Sequence, residues 1–120
     1  MKKLLGLLVI AMLVLTACGS EESYETIDID GVQAKIDEGY KVLDVREPSE
    51  FEVGHIPGAA NKPLSDLQQG NFEGLDPDEK YIVICKSGNR SKQASDILFE
   101  EKYTIVNVSE GMSSWTGEIE

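Results

Sequence analysis

The sequence predicts an α/β domain with a central, mostly parallel sheet of about five strands, flanked by helices on both faces. Three observations carry that expectation. Runs rich in β-branched residues recur along the chain: "KVLDV" at 41–45, "YIVI" at 81–84 and "TIVNV" at 104–108. They read as strands buried in a sheet. Helix-forming stretches lie between them, and glycine, proline and aspartate mark the joins. Strands that alternate with helices at this spacing pair in parallel.

The elements follow in order. Tyr24 to Ile27 reads as a short strand. Asp28 or Asp30 then caps a helix running to about Glu38, with Val32 and Ile36 on one face and Gly39 ending it. Lys41 to Val45 is the next strand. After Arg46, "EPSEFEVGHIPGA" places Pro48 near a helix start and one turn around Phe51, with Gly54, Pro57 and Gly58 as breakers. Ala59 to Pro63 gives a short strand and Ser65 to Gln69 a helical turn. "DPDEK" turns the chain into the strand Tyr81–Ile84. Ser91 to Glu101 follows as a helix with Ala94, Ile97 and Leu98 inward. Thr104 to Val108 is the last strand, and "EGMSSW" closes the domain with Trp115 as a cap on the core. Ligands of such sheets bind beyond the carboxyl ends of the strands. Cys85 stands at one of those ends.

The chain opens with "MKKLLGLLVIAMLVLTAC". Two lysines, an apolar run and small residues have the layout of a secretory signal. The run is shorter than the roughly twenty apolar residues that a membrane-spanning helix needs. "LTAC", Leu15 to Cys18, resembles the lipobox of bacterial lipoproteins. That resemblance implies removal of residues 1–17 and attachment of diacylglycerol and palmitate at Cys18. Two or more acyl chains give stable anchoring. Residues 18–25 would form the lipidated start and a polar tether, and residues 26–120 the folded domain. The expected location is the cell envelope, outside the cytoplasm, on a membrane but not across it.

Removing 17 of 120 residues leaves 103, enough for one compact domain. The formal charge of −11 becomes −13 when Lys2 and Lys3 leave with the signal. Such an acidic chain is a poor partner for nucleic acid or anionic lipid. A local positive cluster therefore stands out.

The chain has two cysteines. With Cys18 lipidated, Cys85 has no partner in the chain, so it is a reactive group, an intermolecular link or a small buried side chain. Its position favours chemistry. Ser87, Gly88 and Asn89 let the loop curl around the sulfur with its amides inward. The following helix, begun by Ser91, adds its positive end. Lys86 and Arg90 add two formal charges. All three effects favour a thiolate, the nucleophilic form. At pH 7 only roughly 3% of an ordinary thiol is ionised, and a downward shift of about two units makes that roughly three quarters.

These residues resemble the rhodanese, or thiosulfate sulfurtransferase, domain. "CKSGNR" matches its loop of cysteine, two residues, glycine, one residue and arginine. "VLDVREPSEFEVGHIPGAANKPL" matches its upstream signature, and "GMSSW" resembles its closing segment. The three pieces stand in the family's order and span nearly all of residues 24–116. Small exported bacterial rhodaneses are the nearest type.

The resemblance implies a rhodanese-like fold and ping-pong sulfur transfer through a persulfide on Cys85. The expected partners are a small sulfur donor such as thiosulfate and a thiophilic acceptor, cyanide or a thiol, with a thiol-bearing protein acceptor left open. Lys86, Ser87, Gly88, Asn89, Arg90 and Ser91 are the expected substrate-binding residues. Asp44 and Arg46 are expected to support the loop through a salt bridge. His55 is read as tying its turn through hydrogen bonds, because a stabilised thiolate needs no base. No cofactor is expected, and one histidine with one free thiol makes no metal-ligand set.

Two alternatives remain from the sequence. Phosphatases and arsenate reductases of similar fold resemble this domain but place one more residue between cysteine and arginine. Only four, Lys86 to Asn89, separate them here; the tighter loop suits a sulfur atom bound to the cysteine and leaves little room for a tetrahedral phosphate. The other alternative is a membrane-tethered persulfide carrier or interaction module with little turnover of free thiosulfate.

Overall fold

The computed structural model describes residues 23–120. The expected leader, Cys18 and all but the last residues of the tether lie outside them. Five strands form: β1 (Glu25–Ile27), β2 (Lys41–Asp44), β3 (Ala60–Asn61), β4 (Lys80–Ile84) and β5 (Thr104–Val108). They make one sheet in the order β1-β5-β4-β2-β3, and each pairing is parallel. The expected mostly parallel sheet is thus wholly parallel. Its two edge strands are the shortest. The central three carry the apolar runs, since strands covered on both faces have little use for polar side chains.

Four helices connect these strands: α1 (Val32–Asp37), α2 (Pro48–Val53), α3 (Leu64–Gln68) and α4 (Asn89–Glu100). A 3-10 turn at Ile29–Gly31 leads into α1, and another forms at Met112–Ser114. Alternation along the strands divides the core in two. Tyr81, Val83 and Cys85 of the β4 segment join Leu43, Val45 and Ile105 beneath α3 and α4, which bring Leu64, Leu67, Ala94 and Leu98. Ile82 and Ile84 face the other way, with Val42, Val106 and Val108, against Val32 of α1 and Ile56. Trp115 packs on this second core, partly buried, in the expected capping position.

The amphipathic pattern of α4 sets its orientation. Ala94 and Leu98 point inward from successive turns, while Lys92 and Asp96 pair on the outside at 3.0 Å. Burying Leu98 completely contributes about 2–3 kcal/mol. Ile97, expected inward, is only partly buried, and Ser95 is fully buried beside it. The polar intrusion is satisfied: the Ser95 hydroxyl donates to Asn107 Oδ1 of β5 at 3.2 Å. With α4 docked on β5 and β4, its first turn stands over the carboxyl edge of the sheet.

Candidate active site

Asp44 and Ile84 are neighbours in register at the ends of β2 and β4. Cys85 and the segment Asp44–Arg46 therefore emerge side by side. Cys85 is 1% exposed and belongs to the core by position. Its sulfur nevertheless accepts a hydrogen bond from the Gly88 amide at 3.1 Å. Burial pushes the thiol pKa up, but the Ser91 hydroxyl and the amides of Ser91, Gly88 and Ser87 outweigh it, so the thiol lies below its ordinary value. The Ser91 hydroxyl has a single proton and stands 3.2 Å from both Gly88 O and Val108 O. Those carbonyls compete with the sulfur for it. The main-chain amides have no such competitor and are the dependable donors.

Two glycines make this loop possible. Gly88 adopts φ +102°, and a Cβ there would stand 2.0 Å from Ser109 O. Gly111 adopts φ +151°, and a Cβ there would meet the Lys86 carbonyl at 2.5 Å. No other residue fits either place. The close approach lets the closing segment bond to the loop. Met112 N donates to Cys85 O at 2.8 Å, and Ser113 donates to Lys86 O from its amide at 3.0 Å and its hydroxyl at 2.8 Å. The "GMSSW" segment is thus a clamp on the loop backbone as well as a cap on the core. Sequence reasoning missed this, although the glycine was its visible signal.

Arg90 stands in the first turn of α4, and its guanidinium forks onto Glu50 of α2, with bonds of 2.7 and 3.1 Å. Glu50 also accepts from the Glu47 amide at 3.0 Å, which closes the start of α2. The Arg90 bonds, the Glu47 amide and the nearby Arg46 charge outweigh partial desolvation and hold the Glu50 carboxyl down at about 2. Glu50 is the second residue that sequence reasoning overlooked. Its spacing from Glu47 marks a helix start, but nothing local points to a partner forty positions away.

Arg46 is fixed elsewhere. Its side chain donates to both oxygens of the fully buried Asp44, at 2.7–3.1 Å, and to Gly54 O at 2.8 Å. This pair joins the end of β2 to the end of α2. His55 Nδ1 lies 2.8 Å from Phe51 O, its ring stacks on Phe51 at 3.7 Å, and its backbone pairs with Glu120. None of these contacts involves the loop. Lys86 and Ser87 are exposed, and the Asn89 side chain accepts from Gln93 at 3.0 Å along the outside of α4. Beside the loop lies an open depression of about 300 Å³ lined by Arg46, Glu50, Val53, Lys86, Met112 and Ser113. With Arg46 and Arg90 both paired, Lys86 is the cation there without an ion-pair partner among the described residues. The arrangement can hold a sulfur anion on backbone donors, with a small anionic reactant beside it.

The model of the family described as "Rhodanese-like domain" matches residues 28–118. The chain is 37% identical over 111 residues to "Putative sulfur carrier protein YrkF" of Bacillus subtilis, covering 85% of this chain and 60% of that one. To "Putative sulfurtransferase YtwF" of the same organism it is 40% identical over 82 residues, covering 68% of this chain and 79% of the relative. A rhodanese-related protein from Thermoplasma volcanium, solved as a crystal structure, shares the fold with a TM-score of 0.73 and 37% identity, over 81% of this chain and 98% of that one. This chain thus spans 60% of YrkF's length, less than two thirds of it, while nearly all of the Thermoplasma protein is matched. Sheet, loop and family match agree, and the chain belongs to the rhodanese-like domain family.

Proposed function

We propose that this protein is a sulfurtransferase that moves a sulfane sulfur from thiosulfate or a similar donor to cyanide or a thiol acceptor through a persulfide on Cys85. The Gly88 amide at 3.1 Å from the sulfur carries this reading. A donor placed there holds the thiolate before reaction and the persulfide after it. In the first half, the Cys85 thiolate attacks the outer sulfur of thiosulfate; the sulfur–sulfur bond of the donor breaks and sulfite leaves with the electron pair. In the second, the acceptor attacks the outer sulfur of the persulfide, and Cys85 leaves as the thiolate. Lys86 meets the anionic donor at the depression beside the loop, while Arg90 stays on Glu50 and orders the helix start. The paired state of Arg90 also supports sulfur transfer over phosphate chemistry, which needs that guanidinium on the substrate.

The test is thiocyanate formation from thiosulfate and cyanide. Wild type is expected to turn over and Cys85→Ser to remain at background; equal rates would refute nucleophilic catalysis by Cys85. A carrier of persulfide to a protein thiol is the second reading, favoured by the name of the YrkF relative. It predicts a stable persulfide on Cys85 with negligible thiocyanate turnover. Anchoring belongs to the same proposal: residues 1–17 are the leader, Cys18 bears the lipid, and the folded domain, whose first strand already begins at Glu25, sits on a membrane in the cell envelope, outside the cytoplasm. Cys18→Ala is expected to release the protein from the membrane fraction, and unchanged attachment would contradict the lipid site.

A further inference from the structure

The pairing of Arg90 with Glu50 raises a chemical question. Arg90 lies two residues beyond Gly88, whose amide reaches the sulfur. Its guanidinium is near enough to feel the Cys85 charge, yet both of its bonded arms go to a carboxylate. That carboxylate is not free to follow it. Glu50 is held by the Glu47 amide, and α2 is itself fixed through Arg46 on Gly54 O and through His55 on Phe51 O.

We propose that Glu50 is a positioning residue: by occupying both arms of Arg90 it holds that charge back from direct contact with the Cys85 sulfur and leaves the bonding of the sulfur anion to the main-chain amides. The consequence for turnover rests on the sulfur-transfer reading. A thiolate of lower pKa leaves a persulfide faster but attacks a donor less readily. Neutral amides hold the sulfur between these demands, whereas a formal cation would tip it toward release. The other charged groups facing the pair are Asp44 and Arg46 at the end of β2, Glu47 at the start of α2, and Lys86 in the loop. Asp44 and Arg46 neutralise each other. Glu110, after β5, is engaged by Ile29 N and the Ser109 hydroxyl.

The experiment is the pH dependence of Cys85 alkylation by iodoacetamide, which needs no sulfur donor. In Glu50→Gln the midpoint is expected to fall by roughly one pH unit, as a released cation nears the thiolate. In the double variant Glu50→Gln with Arg90→Gln it is expected to return to the wild-type value. An unchanged or higher midpoint in the single variant would overturn the proposal. So would a low midpoint that persists in the double variant, since Arg90 would then not be the mediator. Glu50→Asp, which keeps the carboxylate but shortens its reach, gives the same test with a smaller downward shift should Glu50→Gln fold poorly; no downward shift there would also overturn it. Failure of wild type to take sulfur from thiosulfate would count against sulfur transfer and leave these midpoints readable.

Discussion

The Cα of Gly88 is packed so tightly against the Ser109 carbonyl that a Cβ would stand 2.0 Å from its oxygen. This contact joins the loop after β4 to the end of β5, with Gly88 in a left-handed conformation that L side chains resist. Gly88→Ala is therefore expected to lose at least about 2 kcal/mol of stability, from strain and from the displaced backbone. Thiocyanate formation is expected to fall more than about tenfold, since a donor amide moves from the sulfur. Urea unfolding and a turnover assay check both parts. Wild-type values in both would show that the loop tolerates a side chain there.

The buried pair of Asp44 and Arg46 gives a second prediction. Asp44 is fully buried and Arg46 is 7% exposed, so Asp44→Ala leaves a guanidinium without its counter-charge in the protein interior. The expected loss is about 3–5 kcal/mol, read by urea unfolding. A double variant with two apolar residues of similar volume is expected to recover much of it. A loss below about 1 kcal/mol in Asp44→Ala would mean that water reaches Arg46.

Acid should loosen the link between α2 and the loop. The Glu50 carboxyl sits near 2 in the folded protein against an ordinary value of 4.5. A depressed carboxylate stabilises the fold fully above its unfolded value and loses that contribution as pH falls through the folded one. Wild type is thus expected to lose its stability advantage over Glu50→Gln between about pH 4.5 and pH 2. Melting temperatures of both proteins across that window are the measurement, and a constant difference would contradict the assignment.

Ser91→Ala separates the hydroxyl from the amides. The variant loses the single hydroxyl donor that Gly88 O and Val108 O share, which is expected to cost about 1 kcal/mol of stability. Because main-chain donors remain at the sulfur, the alkylation midpoint of Cys85 is expected to rise yet stay below that of a free thiol. A midpoint equal to that of an unstructured cysteine peptide would make the hydroxyl the main donor.

Much of this fold was legible in local pattern. Apolar runs marked β2, β4 and β5, and the place of Cys85 after such a run put it at the ligand-binding edge of the sheet. Gly88 read as a turn-former that lets the loop curl, while the close approach of Gly111 to the Lys86 carbonyl went unread. The partner of Arg90 was not legible, because Glu50 reaches it only once Arg46, at the end of β2, fixes the end of α2 through Gly54 O. The buried bond between Ser95 and Asn107 was hidden for a similar reason: serine and asparagine read as surface residues until a neighbouring element satisfies them. Strand order likewise follows from how α1, α3 and α4 divide between the two faces, which no short window of sequence records.

Intact mass of the purified protein, taken after thiosulfate and again after cyanide, tests the central claim most directly. A gain of one sulfur atom that cyanide removes, absent from Cys85→Ser, is the expected result. No gain in wild type, or an equal gain in Cys85→Ser, would contradict a persulfide held by this loop.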